Sequence, residues 1–191
     1  MASILTVERI KDVLNIPNDF STDPLIESIL PSVKNWVVDF CKNPFLVQSP
    51  TVSISGNSLS IDASTPKIED SDSGFVTVEL TANTDILIQD SRFNDGVYFI
   101  TGVAAATLTI DSIYARRMTS EDYSDESFIV HQIVFPSAIL LPVAQIVYFD
   151  MQKRNPDLQS FRLADYSETY GGGGDYPPGL RARFTPWRNL Y

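Results

Sequence analysis

The stretch STDPLIESILPSVKNWVVDFCKNPF, residues 21–45, decides how the first part of the chain folds. Its apolar residues recur at three- and four-residue steps, which is the period of one face of an α-helix. Asp23 is a good N-cap, Pro24 suits the first helical position, and Asn43-Pro44 ends the pattern. The stretch therefore predicts an amphipathic helix of about five turns with a kink at Pro31.

Helical spacing occurs in two further places. Residues 6–14 place apolar side chains on one face, and residues 136–154 carry a longer apolar stripe. Pro136 can open the second of these helices, basic residues near its end complement its dipole, and Asn155-Pro156 stops it. Helices are thus predicted toward both ends of the chain.

Between these helices, residues 50–130 follow a different pattern. Short runs alternate apolar and polar residues and are separated by turn-rich links, which is typical of β-strands. Gly56-Asn57 indicates a hairpin, and Asn94-Asp95-Gly96 indicates a tight turn. Strands this short and this regularly spaced predict a small antiparallel barrel or sandwich.

We therefore expect an α+β protein in which N- and C-terminal helices form a small bundle and an antiparallel β module is inserted between them. The predicted boundaries are residues 1–49 and 131–170 for the helical platform and residues 50–130 for the β module. Residues 171–191 follow as a hinge and an extended C-terminal arm. The hinge consists of four consecutive glycines, Gly171, Gly172, Gly173 and Gly174.

The arm combines residue types that suit docking to another protein. Prolines favour an extended backbone that loses little entropy on binding, aromatic side chains supply large anchors, and arginines bind carboxylates. Disordered tails are usually poor in aromatic residues, so this composition favours a docking arm. The candidate docking residues are Pro177, Pro178, Leu180, Arg181, Arg183, Phe184, Trp187, Arg188 and Tyr191.

The composition argues against several classes of protein. A net charge of -10 and a pI near 4.4 argue against a nucleic-acid binder that neutralises phosphates. The single cysteine, Cys41, excludes an internal disulfide framework and a cysteine-based zinc site. The start of the chain lacks the pattern of a secretory signal, and its most apolar segment, residues 133–149, is too short and too interrupted to span a membrane. We expect a soluble protein.

No group of residues predicts catalysis. The single histidine, His131, lies in the apolar approach to the last helix, where a structural role is favoured, and Cys41 has no activating partner near it in sequence. The acidic run at 69–74 lacks the glutamate that closes a calcium loop, which favours a solvated turn. The four glycines lack the lysine of a phosphate-binding loop. We expect a protein that is not an enzyme and binds no cofactor or metal.

Two parts of the sequence, residues 3–46 and 134–191, resemble the head–tail connector, or adaptor, proteins of tailed bacteriophages. The first part ends in Phe40-Cys41-Lys42-Asn43-Pro44-Phe45, similar to the aromatic-cysteine-x-x-Pro-Phe ending of that family's long helix. The second part resembles the family's final helix and its Ser-x-x-x-Gly-Asp-Tyr-Ser-x-x-Tyr element. That element is represented here by Ser160, Asp165, Tyr166, Ser167 and Tyr170, with Ala164 where glycine is common.

The resemblance implies a structural protein of the virion, located at the head–tail junction. Such proteins form a homo-oligomeric ring, usually of twelve copies, that docks under the portal protein and extends the DNA channel. Double-stranded DNA then passes through without being specifically bound, and the ring presents a surface for a stopper or tail protein. The C-terminal segment of the family commonly grips the portal, so the arm is expected to be the portal-binding part.

Other functions are compatible with the same residues. A β-rich module that binds carbohydrate on a helical base would need exposed aromatic side chains on a concave β face, and Tyr98, Phe99 and Tyr114 are the candidates. A third hypothesis is that the protein is an enzyme with a carboxylate-based active site that the sequence does not reveal. Another neck or tail-completion protein of the virion is a closer alternative.

Overall fold

The computed structural model describes residues 3–17, 20–46, 53–56, 59–75, 80–122, 128–154 and 176–189. The chain divides into two compact units. One, called here the β unit, comprises Met1–Ser3 and Pro44–Phe135, and the other, called the helical unit, comprises Ile4–Asn43 and Pro136–Tyr191. Helices and an antiparallel sheet both occur, so the protein is α+β.

The helical unit is built on three helices, α1 (Val7–Leu14), α2 (Asp23–Cys41) and α4 (Leu140–Arg154). Both α1 and α2 pack against α4. Each turns its apolar stripe inward, and burial of one such aliphatic side chain contributes about 1.5–3 kcal/mol. The buried side chains include Ile10, Ile26, Ile29, Val33, Val37, Val143, Ile146 and Val147.

Helix α2 begins one residue differently from the sequence prediction. Thr22 is the N-cap and its side chain makes no capping bond, so Asp23 is the first helical residue. Pro31 lies inside the helix, on its buried side, and α2 continues past it to Cys41. Lys42 ends the helix in the left-handed conformation, with φ of 47°.

The end of the chain also contributes to the helical unit. After a single 3₁₀ turn at Ser137–Ile139, helix α4 runs to Arg154, as the periodicity predicts. Further on, Pro178–Ala182 form a short helix, α5, and Thr185–Trp187 form a 3₁₀ turn. Part of the segment expected to be extended is therefore helical, because proline is well tolerated in the first turn of a helix.

The β unit contains one antiparallel sheet that curls into a half-barrel. Its spatial order is β1-β8-β4-β5-β6-β3-β2-β7. A short helix, α3 (Ser112–Ala115), follows β6. The strands are β1 (Ser53–Gly56), β2 (Leu59–Asp62), β3 (Lys67–Asp70), β4 (Thr84–Gln89), β5 (Gly96–Ala104), β6 (Thr107–Ile110), β7 (Glu121–Asp122) and β8 (Phe128–Ile133).

The predicted hairpin at Gly56-Asn57 is wrong, although strands lie on both sides of that dipeptide. Strand β1 pairs with β8, whereas β2 pairs with β3 and β7. The tight turn predicted at residues 94–96 is wrong, because Gly96 is already the first residue of β5 and a loop of residues 90–95 joins it to β4, its antiparallel partner. A register shift follows in β5, where Gly102 lies against the Thr109 side chain of β6.

The core of the β unit lies on the inner face of the curled sheet. Alternate residues of β2, β3 and β6 are buried in it, as expected for strands with one buried face, whereas β4 is buried on both faces from Thr84 to Ile88. Its largest members are Phe75, Tyr98, Tyr114 and Phe128. The aliphatic members include Leu59, Ile61, Ile68, Ile86, Ile88, Ile100, Leu108, Ile110 and Val130.

Candidate functional site: the C-terminal segment and its seat on α2

Residues 176–189, called here the C-terminal segment, are seated on the helical unit. Phe184 is 0% exposed, and its ring meets the Trp36 ring edge-on at a centroid distance of 5.4 Å. The Phe40 ring lies 6.4 Å away, also edge-on, and stacks on Trp36 at 4.7 Å. Leu180, one turn earlier in the segment, is buried as well. Two of the predicted docking anchors therefore pack inside their own chain.

The segment is also held at its beginning. The Tyr176 hydroxyl donates a hydrogen bond of 2.7 Å to Oδ2 of Asp150 on α4. The same ring contacts Trp36 edge-on at 4.7 Å and Phe149 at 6.0 Å. Edge-to-face aromatic pairs of this kind add about 0.5–1.5 kcal/mol each beyond the area they bury.

The end of the segment caps helix α2. The last carbonyl groups of a helix have no partner within it, and here the segment supplies donors to them. The Asn189 backbone N–H donates to the Cys41 carbonyl at 2.8 Å, and Asn189 Nδ2 donates to the Lys42 carbonyl at 3.0 Å. In return, Asn43 Nδ2 donates to the Trp187 carbonyl at 3.1 Å.

The opposite side of the segment faces solvent. Pro178, Arg183, Pro186 and Arg188 are exposed, while Pro177, Arg181 and Trp187 are intermediate in exposure. The Arg188 guanidinium lies over the Phe40 ring, 5.0 Å from its centroid. The outward face therefore presents two arginines and two prolines. The hinge glycines Gly171–Gly174 and the last anchor, Tyr191, lie outside the described residues.

The one cysteine lies directly beneath this segment. Cys41 is buried, and its Sγ atom is 4.0 Å from the Phe184 carbonyl oxygen. Burial raises the pKa of the Cys41 thiol to about 11, with the charge of Arg188 opposing the change. The thiolate, which is the nucleophile, is therefore scarce at neutral pH, and the side chain acts as a small apolar group in the interface.

The aromatic candidates of the carbohydrate alternative are not displayed on a surface. Tyr98 and Tyr114 belong to the core of the β unit, and Phe99 is packed against that core. Burial also raises the pKa of the Tyr98 hydroxyl. These three side chains therefore do not form the exposed platform that stacking on a sugar would need.

The predicted acidic and histidine positions have structural surroundings. Ser71, Asp72 and Ser73 are exposed, as expected for a solvated turn, whereas Asp70 is buried and its carboxylate accepts hydrogen bonds from the N–H groups of Asp72 and Gly74. His131 lies in strand β8, where burial lowers its pKa. Among the described residues, no group of acidic, histidine or cysteine side chains is arranged to hold a metal.

Sequence reasoning missed one ordered loop, between β4 and β5. The buried Glu121 carboxylate accepts hydrogen bonds from the N–H groups of Arg92 and Phe93 and from the Asn94 amide. Asn94 in turn bonds both the N–H and the carbonyl of Thr119. These buried hydrogen bonds hold the loop in place. Phe93 is nevertheless 59% exposed, and the Arg92 guanidinium lies 5.0 Å from the centroid of its ring.

Sequence reasoning also missed the partners of the C-terminal segment. Trp36 and Phe40 are four residues apart on one face of α2, which makes them neighbours on the helix surface. That i, i+4 aromatic pair was the available signal. It shows that an aromatic patch exists but does not show what covers it.

Comparison with known proteins defines the class. Residues 4–147, about three quarters of the chain, match the family model described as phage gp6-like head-tail connector protein. The match includes both the first helices and the β unit, and it places the chain among the structural connector proteins of phages. The chain belongs to the family of phage gp6-like head-tail connector proteins. No curated protein and no solved structure matches it significantly.

Membership of this family confirms the resemblance seen in the sequence. It implies a position at the head–tail junction of the virion, self-association, and contact with portal and tail proteins. In the part of the chain that the structure describes, none of the helices is both long enough and apolar enough to cross a membrane.

Proposed function

We propose that this protein is the adaptor of the phage neck. Copies of the chain form a ring, of twelve members in the usual arrangement of the adaptors that the sequence resembles, and the ring docks to the portal protein. It extends the DNA channel and presents the surface to which a stopper or tail protein attaches. The observation that carries this proposal is the match to the head–tail connector family over residues 4–147.

The C-terminal segment is the proposed portal-binding element, together with the hinge before it and Tyr191 after it. Its buried anchors fix the segment on α2, so the contacts to the portal fall to its solvent-facing side. Arg183 and Arg188 lie on that side, and a guanidinium binds carboxylates through paired hydrogen bonds. The portal surface that fits this side is acidic and accommodates proline rings.

The charge of the chain suits a conduit for DNA. The net charge of -10 repels phosphates, so genomic DNA would slide past the ring, whereas a basic lining would retain it. Exposed carboxylates are available in both units, for example Glu8 and Asp12 on α1 and Asp72 and Asp90 in the β unit. We place some of the protein's carboxylates on the channel wall.

Charge reversal at Arg183 tests portal binding without disturbing the buried anchors. We expect Arg183→Glu to weaken co-sedimentation with the portal protein at least about tenfold, because a carboxylate would then oppose the acidic partner surface. Arg116→Glu is the matched control, since Arg116 is also exposed but belongs to the β unit. Equal portal affinity of the two variants would show that the solvent-facing side of the segment is not the contact.

Truncation is a less informative test. Deleting residues 175–191 would remove any portal contact, but it would also uncover Trp36, Phe40 and Cys41 and leave the α2 carbonyls without their donors. Loss of binding by the truncated chain would then combine two effects. The point substitution separates them.

A further inference from the structure

We propose that neighbouring copies in the ring exchange their C-terminal segments. The receiving site, called here the α2 seat, comprises Trp36, Phe40 and the carbonyl groups of Cys41 and Lys42. Its occupant in the ring is the C-terminal segment of the adjacent copy, docked with the contacts seen within one chain. The inference deepens the proposed function, since it depends on a ring but not on which face of the ring meets the portal.

The contacts between the C-terminal segment and the α2 seat do not require that both belong to the same copy of the chain. The segment attaches through a buried aromatic side chain, a hydroxyl–carboxylate bond to Asp150, and donors to the end of α2. These partners are side chains and carbonyls on the surface of α2 and α4. An identical segment from another copy can make every one of these contacts, which is the condition for exchange.

The connection between α4 and the segment is longer than docking within one chain needs. Tyr176 bonds Asp150, and α4 ends four residues later at Arg154, which is about 6 Å further along the helix axis. When the lengths of the Tyr176 and Asp150 side chains are added to this distance, a link from Arg154 to Tyr176 needs to bridge less than about 20 Å. Residues 155–175 can span up to about 70 Å when extended. The spare length is enough to reach the seat of a neighbouring copy.

A closed ring lets every copy keep its contacts after exchange. If each copy gives its segment to the next, the segment-to-seat interface is heterologous, that is, two different surfaces meet. In a closed ring the last copy gives its segment to the first, so all seats are filled. Phe184 stays buried in each of them, and no aromatic patch is left exposed to solvent. In dilute solution the attached segment has the higher effective concentration, and docking occurs within one chain. In the ring, the neighbouring seat has a comparable effective concentration.

Cross-linking between two kinds of chain tests the exchange. The bonds from Asn189 to the carbonyls of Cys41 and Lys42 place residue 189 against the backbone of residue 42, so positions 42 and 189 are chosen for the cysteine pair. One chain carries Lys42→Cys and the other Asn189→Cys, both with Cys41→Ala, and the two are mixed in equal amounts. They are assembled on the portal protein, oxidised, and separated on a non-reducing denaturing gel. An exchanged segment joins the two kinds of chain covalently, whereas a segment docked on its own chain faces a seat that lacks the matching cysteine.

The expected result is a covalent pair at roughly one quarter of the neighbouring contacts at equal mixing, because the segment must come from an Asn189→Cys chain and the seat must belong to a Lys42→Cys chain, each in about half of the cases. A chain carrying both substitutions is the positive control, and in dilute solution it forms an internal disulfide. The same set with Cys41 retained guards against misfolding caused by Cys41→Ala. Absence of the internal disulfide in both sets would contradict the docked geometry and overturn the proposal.

The remaining outcomes separate the exchange from the proposed function. Rings on the portal without covalent pairs would overturn the exchange and leave the portal adaptor standing. If the portal is not bound, the mixed chains are concentrated alone. Covalent pairs that appear with increasing concentration would then support exchange without the portal, whereas their absence at every concentration would overturn both proposals.

Discussion

Replacing Phe184 by alanine should release the C-terminal segment from α2. The side chain is fully buried, and a Phe→Ala change at such a site costs about 3–5 kcal/mol from lost burial and the cavity that remains. The edge-on contacts with Trp36 and Phe40 are lost with it. Because each 1.4 kcal/mol is a factor of ten, the ratio of docked to released segment should fall by a factor of about 10² to 4 × 10³.

The single cysteine provides the assay. Cys41 lies beneath Phe184 and its pKa is raised to about 11, so the thiol of the native chain should react slowly with a disulfide reagent at pH 8. In the Phe184→Ala chain, Cys41 becomes exposed whenever the segment is released. Its pKa then falls, because burial is what raises it. The labelling rate should then rise by about the same factor as the ratio of docked to released segment falls.

The matched control is Phe93→Ala, which removes an aromatic side chain that is 59% exposed and lies in the β unit. Its labelling rate should equal that of the unmodified chain. Fluorescence gives a second readout, because Trp36 and Trp187 both contact Phe184 and their emission should shift to the red on release. Unchanged labelling and unchanged fluorescence in Phe184→Ala would refute the docked arrangement.

Three further predictions concern the β unit, each checked by urea unfolding. Gly102→Val should lower the free energy of unfolding by up to about 1 kcal/mol, since a Cβ atom there would lie 3.2 Å from Thr109 Oγ1 and force that exposed side chain away from its preferred position. Glu121→Ala should also cost about 1–3 kcal/mol, because it removes the acceptor of the Arg92 and Phe93 N–H groups and one of the two acceptors of the Asn94 amide. His131→Gln should reduce the loss of stability on acidification. The native pKa of His131 is lowered, so below about pH 6.5 the unfolded chain takes up the proton first.

Controls and contrary outcomes differ among these three. The control for Glu121→Ala is Glu69→Ala, at a half-exposed position of strand β3, which should change the free energy of unfolding by less than about 0.5 kcal/mol. If Glu121→Ala has no larger effect than this control, the buried carboxylate has no structural role. A Gly102→Val chain as stable as the parent would show that β6 shifts without cost. For His131, identical slopes of stability against pH in parent and variant would contradict the effect of burial.

The helices could be located from the sequence because their signals are local. The 3.6-residue period and the terminal residues predict α1, α2 and α4 with boundaries within a few residues of those found. The order of the strands could not be predicted in this way. Nothing local in Ser53–Gly56 shows that it pairs with β8, about 75 residues later, rather than with β2.

The candidate site shows the same limit. The residue types of the C-terminal segment indicate docking, but they do not show which side of the segment meets a partner. Burial of Phe184 depends on Trp36 and Phe40, which lie some 145 residues earlier in the chain, so only the folded structure separates buried anchors from solvent-facing contacts. Helix α5 was missed because Pro177-Pro178 was interpreted by its extended tendency, whereas proline also favours a first helical turn.

Electron microscopy of the protein mixed with the portal protein of the same phage tests the central claim most directly. The account predicts a ring of this chain on one end of the portal, coaxial with its channel, and a marked loss of that ring with Arg183→Glu but not with Arg116→Glu. Portal particles that stay bare at saturating concentrations of the unmodified chain would contradict the assignment of this protein as the portal adaptor.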